Sequence, residues 1–110
     1  KYNLKCKNFL IESDFNNKNL KKKIISLTNQ INIFHFDCDQ YESTVQALSV
    51  SKSFILNQKI SYLCFDDWGC FEDQVPKAFS EFFQQHKNKI RYEIISNTFY
   101  TMYLRVNLVK

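Results

Sequence analysis

The chain has 110 residues, of which 45% are hydrophobic and 16% aromatic, and its formal net charge is +4 at pH 7. This composition supplies the core of one domain and excludes an intrinsically disordered chain, and no apolar run approaches the roughly 20 residues of a membrane-spanning helix. A Lys-rich stretch at 18–23 carries much of the charge, but only two Arg are present, which argues against a nucleic-acid-binding surface.

The hydrophobic pattern predicts strands that alternate with helices along the chain. Pro76 falls in the first turn of one predicted helix, where its missing N–H is not needed. The predicted elements are a strand at 8–12, a weakly helical stretch at 13–27, a strand at 31–37, a helix at 40–57, a strand at 60–65, a helix at 73–87, and strands at 90–96 and 99–109 that form a hairpin around Asn97.

This order predicts an α/β fold. The runs at 31–37 and 60–65 are almost continuously apolar, which is typical of strands covered on both faces. A strand that is followed by a helix and another strand forms a right-handed crossover, so these two strands are expected to be parallel, with the hairpin added to the same sheet.

Acidic residues follow both buried strands. The stretch "FHFDCDQYEST" (34–44) places Asp37 at the end of the first strand, and "ISYLCFDDW" (60–68) places Asp66 and Asp67 at the end of the second. If the strands are neighbours, these three carboxylates converge and form a site for a hard divalent cation. In the alternative interpretation one acid caps a helix and the others are solvated. Asp39 is the best candidate for the N-cap of the helix at 40–57.

The two acidic motifs and the segment "SYLCFDDWGCFEDQVPKAFSEFFQQH" (61–86) resemble the C-terminal half of the macrocin O-methyltransferase family, whose members are class I, S-adenosylmethionine-dependent enzymes. The resemblance implies a Rossmann-like sheet, Mg²⁺ bound by Asp37, Asp66 and Asp67, and a sugar-containing small molecule whose hydroxyl accepts the methyl group. The catalytic base is not identified. The residues that match the family pattern are Asp37, Asp39, Tyr41, Ser43, Thr44, Asp66, Asp67, Trp68, Ala78, Glu81 and Phe82.

The chain departs from the family pattern in two places. Family members enter the second strand through Pro-Gly-Gly, whereas this chain has Asn57-Gln58-Lys59. The single glycine, Gly69, follows the second acidic motif, so the Gly-rich turn that holds S-adenosylmethionine is missing. We therefore expect residues 1–110 to be one partial domain of a longer protein, inactive alone, and the start at Lys1 agrees with this expectation.

Other interpretations of the sequence stay open. An Asp-x-Asp pair after an apolar strand also occurs in metal-dependent glycosyltransferases, and a non-catalytic α/β module could keep the fold without the chemistry. The sequence is compatible with an oligomer.

The cysteines have no Cys-x-x-Cys spacing, so we expect reduced thiols in a cytoplasmic protein. We expect His35 to lie in the core or on a sheet face and His86 to be exposed at a helix end. The four cysteines are Cys6, Cys38, Cys64 and Cys70.

Overall fold

The computed structural model describes residues 9–70 and 72–109. The predicted order of elements from the helical stretch onward is confirmed. No strand forms at 9–12, so the prediction of a first strand is wrong there, and its residue Asn8 lies outside the described residues. The elements are α1 (Leu20–Leu27), β1 (Ile33–Phe36), α2 (Tyr41–Ile55), β2 (Ile60–Phe65), α3 (Gln74–His86), β3 (Ile90–Asn97) and β4 (Met102–Leu108).

The strands form one mixed sheet in the order β1-β2-β4-β3. β1 and β2 are parallel, with Phe36 beside Phe65 at their carboxyl ends. β4 is antiparallel to both of its neighbours, β2 and β3, so the predicted terminal hairpin is present and its last strand inserts beside β2. The chain is therefore a compact α/β domain with a four-stranded mixed sheet.

The core lies between the sheet and the helices α2 and α3. Phe65 is fully buried at its centre, with its ring 4.9 Å from Phe36 and 5.5 Å from Phe79 of α3, measured between centroids. On β1, Phe34 packs near Phe54 of α2. Aromatic pairs at these separations add about 0.5–1.5 kcal/mol each beyond the burial of their area, so this cluster fixes the helices on the sheet.

The opposite face of the sheet is open, which corrects the prediction that β1 and β2 are covered on both sides. Side chains alternate between the faces of a strand, and every second residue of β1 and β2 points away from the helices. Ile33 is 66% exposed and Ile60 is 43% exposed. The described helices pack on the other face, where Phe54 of α2 and Phe79 of α3 join the core cluster and Ile24 of α1 packs against it. An apolar run in the sequence does not specify what covers it.

The turn into β2 forms without the glycines of the family pattern. The Gln58 amide donates to the Ile31 carbonyl and, at 2.9 Å, to the hydroxyl of the buried Ser61. The Asn57 amide donates to the carbonyl of Ser53 at the end of α2. None of these turn residues has a positive φ, so the backbone does not require glycine there.

The predicted position of Pro76 is confirmed. Pro76 is the third residue of α3, in the first turn. Cys38, Cys64 and Cys70 are free, while Cys6 lies outside the described residues. No helix in the described ranges has the length and apolar character needed to cross a membrane.

Candidate metal site

Three carboxylates converge beyond the carboxyl ends of β1 and β2. Asp37 follows β1 directly, Asp39 lies two residues later, and Asp67 follows β2. Each offers an oxygen, and these oxygens all lie within 4.8 Å of one another. The parallel register aligns the two strand ends, and the Asp66 N–H extends the alignment by donating to the Phe36 carbonyl at 3.0 Å. We call Asp37, Asp39 and Asp67 the acidic cluster.

Asp67 enters the cluster because the backbone reverses there. Its φ is 57°, in the left-handed region, and the Cys70 N–H donates to its carbonyl at 3.2 Å to close the turn. Aspartate and asparagine adopt this conformation more readily than most residues other than glycine. Had β2 continued as a regular strand, the side chain would have pointed toward the helix-covered face.

Asp66 does not belong to this group of three. Its carboxylate lies 2.7 Å from Nε2 of His35, on the open face of the sheet. Of the three predicted ligands, the structure therefore brings Asp37 and Asp67 together and places the third beside an imidazole. His35 lies on a sheet face, which was one of its two predicted locations.

Asp39 is the residue that the sequence interpretation assigned to another role. The prediction that it caps α2 is wrong, because Gln40 is the N-cap and makes no side-chain cap bond. The N–H of Tyr41, in the first turn of α2, instead donates to the side-chain oxygen of Gln74 at the start of α3, at 3.0 Å. The signal for Asp39 was present in the sequence, because alternate residues of an extended segment point to the same side, as Asp37 and Asp39 do.

The cluster carries an electrostatic cost in the absence of a cation. A hydrogen bond to the Asp67 carboxylate raises the pKa of Asp39, and desolvation and the charge of Asp67 add to this. The Cys70 thiol also has a raised pKa, because of burial first and then a hydrogen bond to Asp67. Like charges this close favour a retained proton or a bound cation.

The donor set fits a hard divalent cation. Ligand oxygens on opposite sides of Mg²⁺ lie about 4.2 Å apart and those around Ca²⁺ about 5 Å apart, so three oxygens within 4.8 Å can reach one ion with small side-chain movements. Asp37 and Asp39 are exposed and Asp67 is half-buried, so the remaining coordination positions would face solvent or a bound molecule. Binding of Mg²⁺ stays a prediction.

Within residues 9–70 and 72–109, no glycine turn is open to S-adenosylmethionine. The one glycine that could allow a ligand to approach the backbone closely is Gly69, and its space is already filled by the β3–β4 connection. A Cβ at this position would lie 2.3 Å from the Phe99 carbonyl oxygen. The neighbouring Trp68 N–H donates to the Tyr100 carbonyl at 2.8 Å. The absence of a side chain at Gly69 therefore lets the β2–α3 and β3–β4 connections pack closely together.

Several residues of the resembling motif have structural contacts that need no ligand. The Tyr41 hydroxyl donates to Glu81 on α3, and its ring lies 4.8 Å from the Lys77 ammonium. The hydroxyls of Ser43 and the buried Thr44 both donate to the Gln40 carbonyl at the start of α2. These contacts join α2 to α3 and fix the helix that follows the acidic cluster.

Comparisons with known proteins identify no family for this chain: no family model matches it, and neither a curated protein nor a solved structure matches it.

Proposed function

We propose that this chain binds Mg²⁺ through Asp37, Asp39 and Asp67, and that the site belongs to an O-methyltransferase acting on a hydroxyl of a sugar-containing small molecule. The observation that supports the metal site is the convergence of three carboxylate oxygens within 4.8 Å at the carboxyl ends of parallel strands, where ligands of open α/β sheets bind. The methyltransferase assignment depends on the sequence resemblance.

The residues of the cluster would have different roles when the metal binds. A bound Mg²⁺ would lower the pKa of a substrate hydroxyl and orient its oxygen. The exposed Asp37 and Asp39 would provide ligands from the β1 side, and Asp67 would provide the third from β2. Metal ligands bind deprotonated, and the pKa of Asp39 is raised by its hydrogen bond to Asp67, so the affinity for Mg²⁺ is expected to fall as the pH decreases.

The methyl donor requires residues beyond those described. The chain has one glycine, which is enclosed by the β3–β4 connection, and we propose that S-adenosylmethionine is bound by another part of a longer protein or by a partner. The 110-residue chain is therefore expected to bind Mg²⁺ without binding S-adenosylmethionine.

A second function is favoured by a specific observation. Both carboxylates of the Asp-x-Asp motif, Asp37 and Asp39, are in the cluster, which is the arrangement that a glycosyltransferase needs to hold a metal with a nucleotide diphosphate. The presence of Asp67 as a third carboxylate is less expected for that class. A non-catalytic module is the third interpretation.

Metal titration of matched variants tests the ligand set. Isothermal calorimetry with Mg²⁺ and Mn²⁺ is expected to show binding that Asp39→Asn and Asp67→Asn each weaken by about tenfold or more, which corresponds to about 1.4 kcal/mol. Asn is chosen for Asp67 because it tolerates the left-handed backbone. Asp66→Asn is the matched control, because it removes one neighbouring charge without removing a cluster oxygen. If Asp66→Asn is the most damaging change, the ligands are those implied by the resemblance.

Ligand titration then separates the functions. S-adenosylmethionine and a nucleotide diphosphate sugar are each added to the chain with Mg²⁺ or Mn²⁺ present. Metal-dependent binding of the nucleotide sugar supports the glycosyltransferase and contradicts our proposal. The absence of metal binding in the unmodified chain supports the non-catalytic module. Tight S-adenosylmethionine binding contradicts our inference that the donor site lies elsewhere.

A further inference from the structure

The edge of the sheet formed by β1 has unused backbone groups. The Asn32 and Phe36 carbonyls accept from the Tyr62 and Asp66 N–H groups of the neighbouring strand, at 2.8 and 3.0 Å. Alternate residues of a parallel strand direct their N–H and C=O groups to opposite sides, so those of Ile33 and His35 face away from β2. Within residues 9–70 and 72–109, no strand pairs with this side of β1.

The two edges of the sheet differ in how they discourage pairing. The opposite edge strand, β3, carries the charged residues Arg91 and Glu93 and a register irregularity between Ile94 and Ser96. Charges and bulges are the usual means by which edge strands avoid pairing with other chains. β1, with the sequence IFHF, has no Lys, no Pro, no carboxylate and no register irregularity.

The surface beside β1 suits burial against another strand. Ile33, Ile60 and Tyr62 form an exposed apolar strip on the open face, directly next to this edge. A groove of about 410 Å³ lies between residues 34–38 and the chain's own residues 11–15, with α1 and α2 lining the rest of it. An added strand would satisfy the free backbone groups, and its side chains could cover part of the strip, as in recognition by β-strand addition.

The distribution of charge indicates both the orientation and the identity of the added strand. Four carboxylates, Asp37, Asp39, Asp66 and Asp67, lie at the carboxyl end of β1, whereas the groove at its other end is lined by Lys59 and uncharged residues. Two copies in parallel orientation would bring both sets of carboxylates together. In antiparallel orientation, about 13 Å of strand separates them, and each set approaches Lys59 of the other copy.

We propose that two copies of this chain associate through antiparallel pairing of their β1 strands about a two-fold axis. Such an interface is self-complementary, because the same surface of both copies takes part. It would join the two sheets into one continuous sheet and cover the exposed strip around Ile33. This proposal does not depend on the metal site or on the proposed function.

Sedimentation equilibrium of the 110-residue chain tests this proposal. The unmodified chain is expected to form a dimer as its concentration rises, and Ile33→Lys is expected to weaken dimerisation by about tenfold or more, because it places a charge in the apolar strip. Ile95→Lys is the matched control, since Ile95 is 56% exposed on the opposite edge strand. Circular dichroism verifies that both variants fold.

Three outcomes would overturn the proposal. The first is a chain that remains monomeric at every concentration. The second is an Ile95→Lys variant that dimerises as weakly as Ile33→Lys. The third concerns orientation: attraction between carboxylates and Lys59 predicts that added NaCl weakens the dimer, so a dimer that NaCl strengthens would contradict the antiparallel arrangement.

Discussion

Replacing Gly69 with alanine tests the contact between the β2–α3 and β3–β4 connections. The φ angle of Gly69 is not positive, so a change to alanine would ordinarily stabilise the chain by about 0.4–1 kcal/mol through the unfolded state. Here the new Cβ would lie 2.3 Å from the Phe99 carbonyl oxygen, whereas real Cβ contacts essentially never fall below 3.0 Å. The backbone of the β3–β4 connection would therefore have to move by at least the difference, 0.7 Å.

The free-energy cost of that movement exceeds the stabilisation that alanine brings by restricting the unfolded chain. Overpacking of this kind costs about 1–3 kcal/mol, and loss of the 2.8 Å hydrogen bond from Trp68 to Tyr100 adds about 1 kcal/mol. Gly69→Ala is therefore expected to lower the free energy of unfolding by about 1–3 kcal/mol after the favourable term is subtracted. Urea unfolding followed by tryptophan fluorescence measures this difference through Trp68, the only tryptophan.

The control for this prediction distinguishes a clash with the backbone of Phe99 from a clash with its side chain. The closest atom to the added Cβ is the backbone oxygen of Phe99, while the nearest atom of its ring lies 3.5 Å away. Phe99→Ala should therefore fail to rescue Gly69→Ala. An increase in stability for Gly69→Ala alone, or full rescue in the double variant, would refute the reasoning.

Two further predictions concern the acidic cluster and the turn before β2. In the presence of a chelator, Asp39→Asn is expected to raise the melting temperature at neutral pH. The raised pKa of Asp39 means that its carboxyl favours folding below the ordinary Asp pKa and that this contribution is lost as the pH rises through the raised value. The difference in melting temperature between Asp39→Asn and the unmodified chain should therefore vanish in acid. A difference that does not change with pH would contradict this prediction. Gln58→Ala removes the donor to Ile31 and Ser61. It is expected to lower the free energy of unfolding in urea by about 1–3 kcal/mol. An equal loss of stability in Asn57→Ala would show that the turn depends instead on the Asn57 bond to the end of α2.

The order of elements could be predicted because each has a strong local pattern. β2 begins and ends at the predicted residues, since its six-residue, nearly continuous apolar run is bounded by the charged residues Lys59 and Asp66. The stretch at 9–12 begins with three apolar residues but has no partner strand among the described residues. Whether a segment joins a sheet depends on tertiary contacts that its own residues do not specify.

The composition of the cluster was harder to predict for a related reason. Asp66 and Asp67 look equivalent in the sequence, but strand alternation directs Asp66 toward His35 on the open face. A single left-handed residue then turns Asp67 toward Asp39. Strand alternation could have been used from the sequence alone, whereas the positive φ and the replacement of a capping side chain by Gln74 arise only from the packed structure.

The residue at position 67 has to tolerate a left-handed backbone and also provide a carboxylate oxygen to the acidic cluster. Glycine would relieve the conformation but would remove the oxygen, and a longer Glu would keep the charge but adopt that backbone less readily. Asparagine alone keeps both the shape of the turn and an oxygen, at the expense of the charge. Any redesign that seeks a more stable connection after β2 would therefore remove an oxygen or a charge from the proposed metal site, because backbone conformation and ligand chemistry are coupled at this one position.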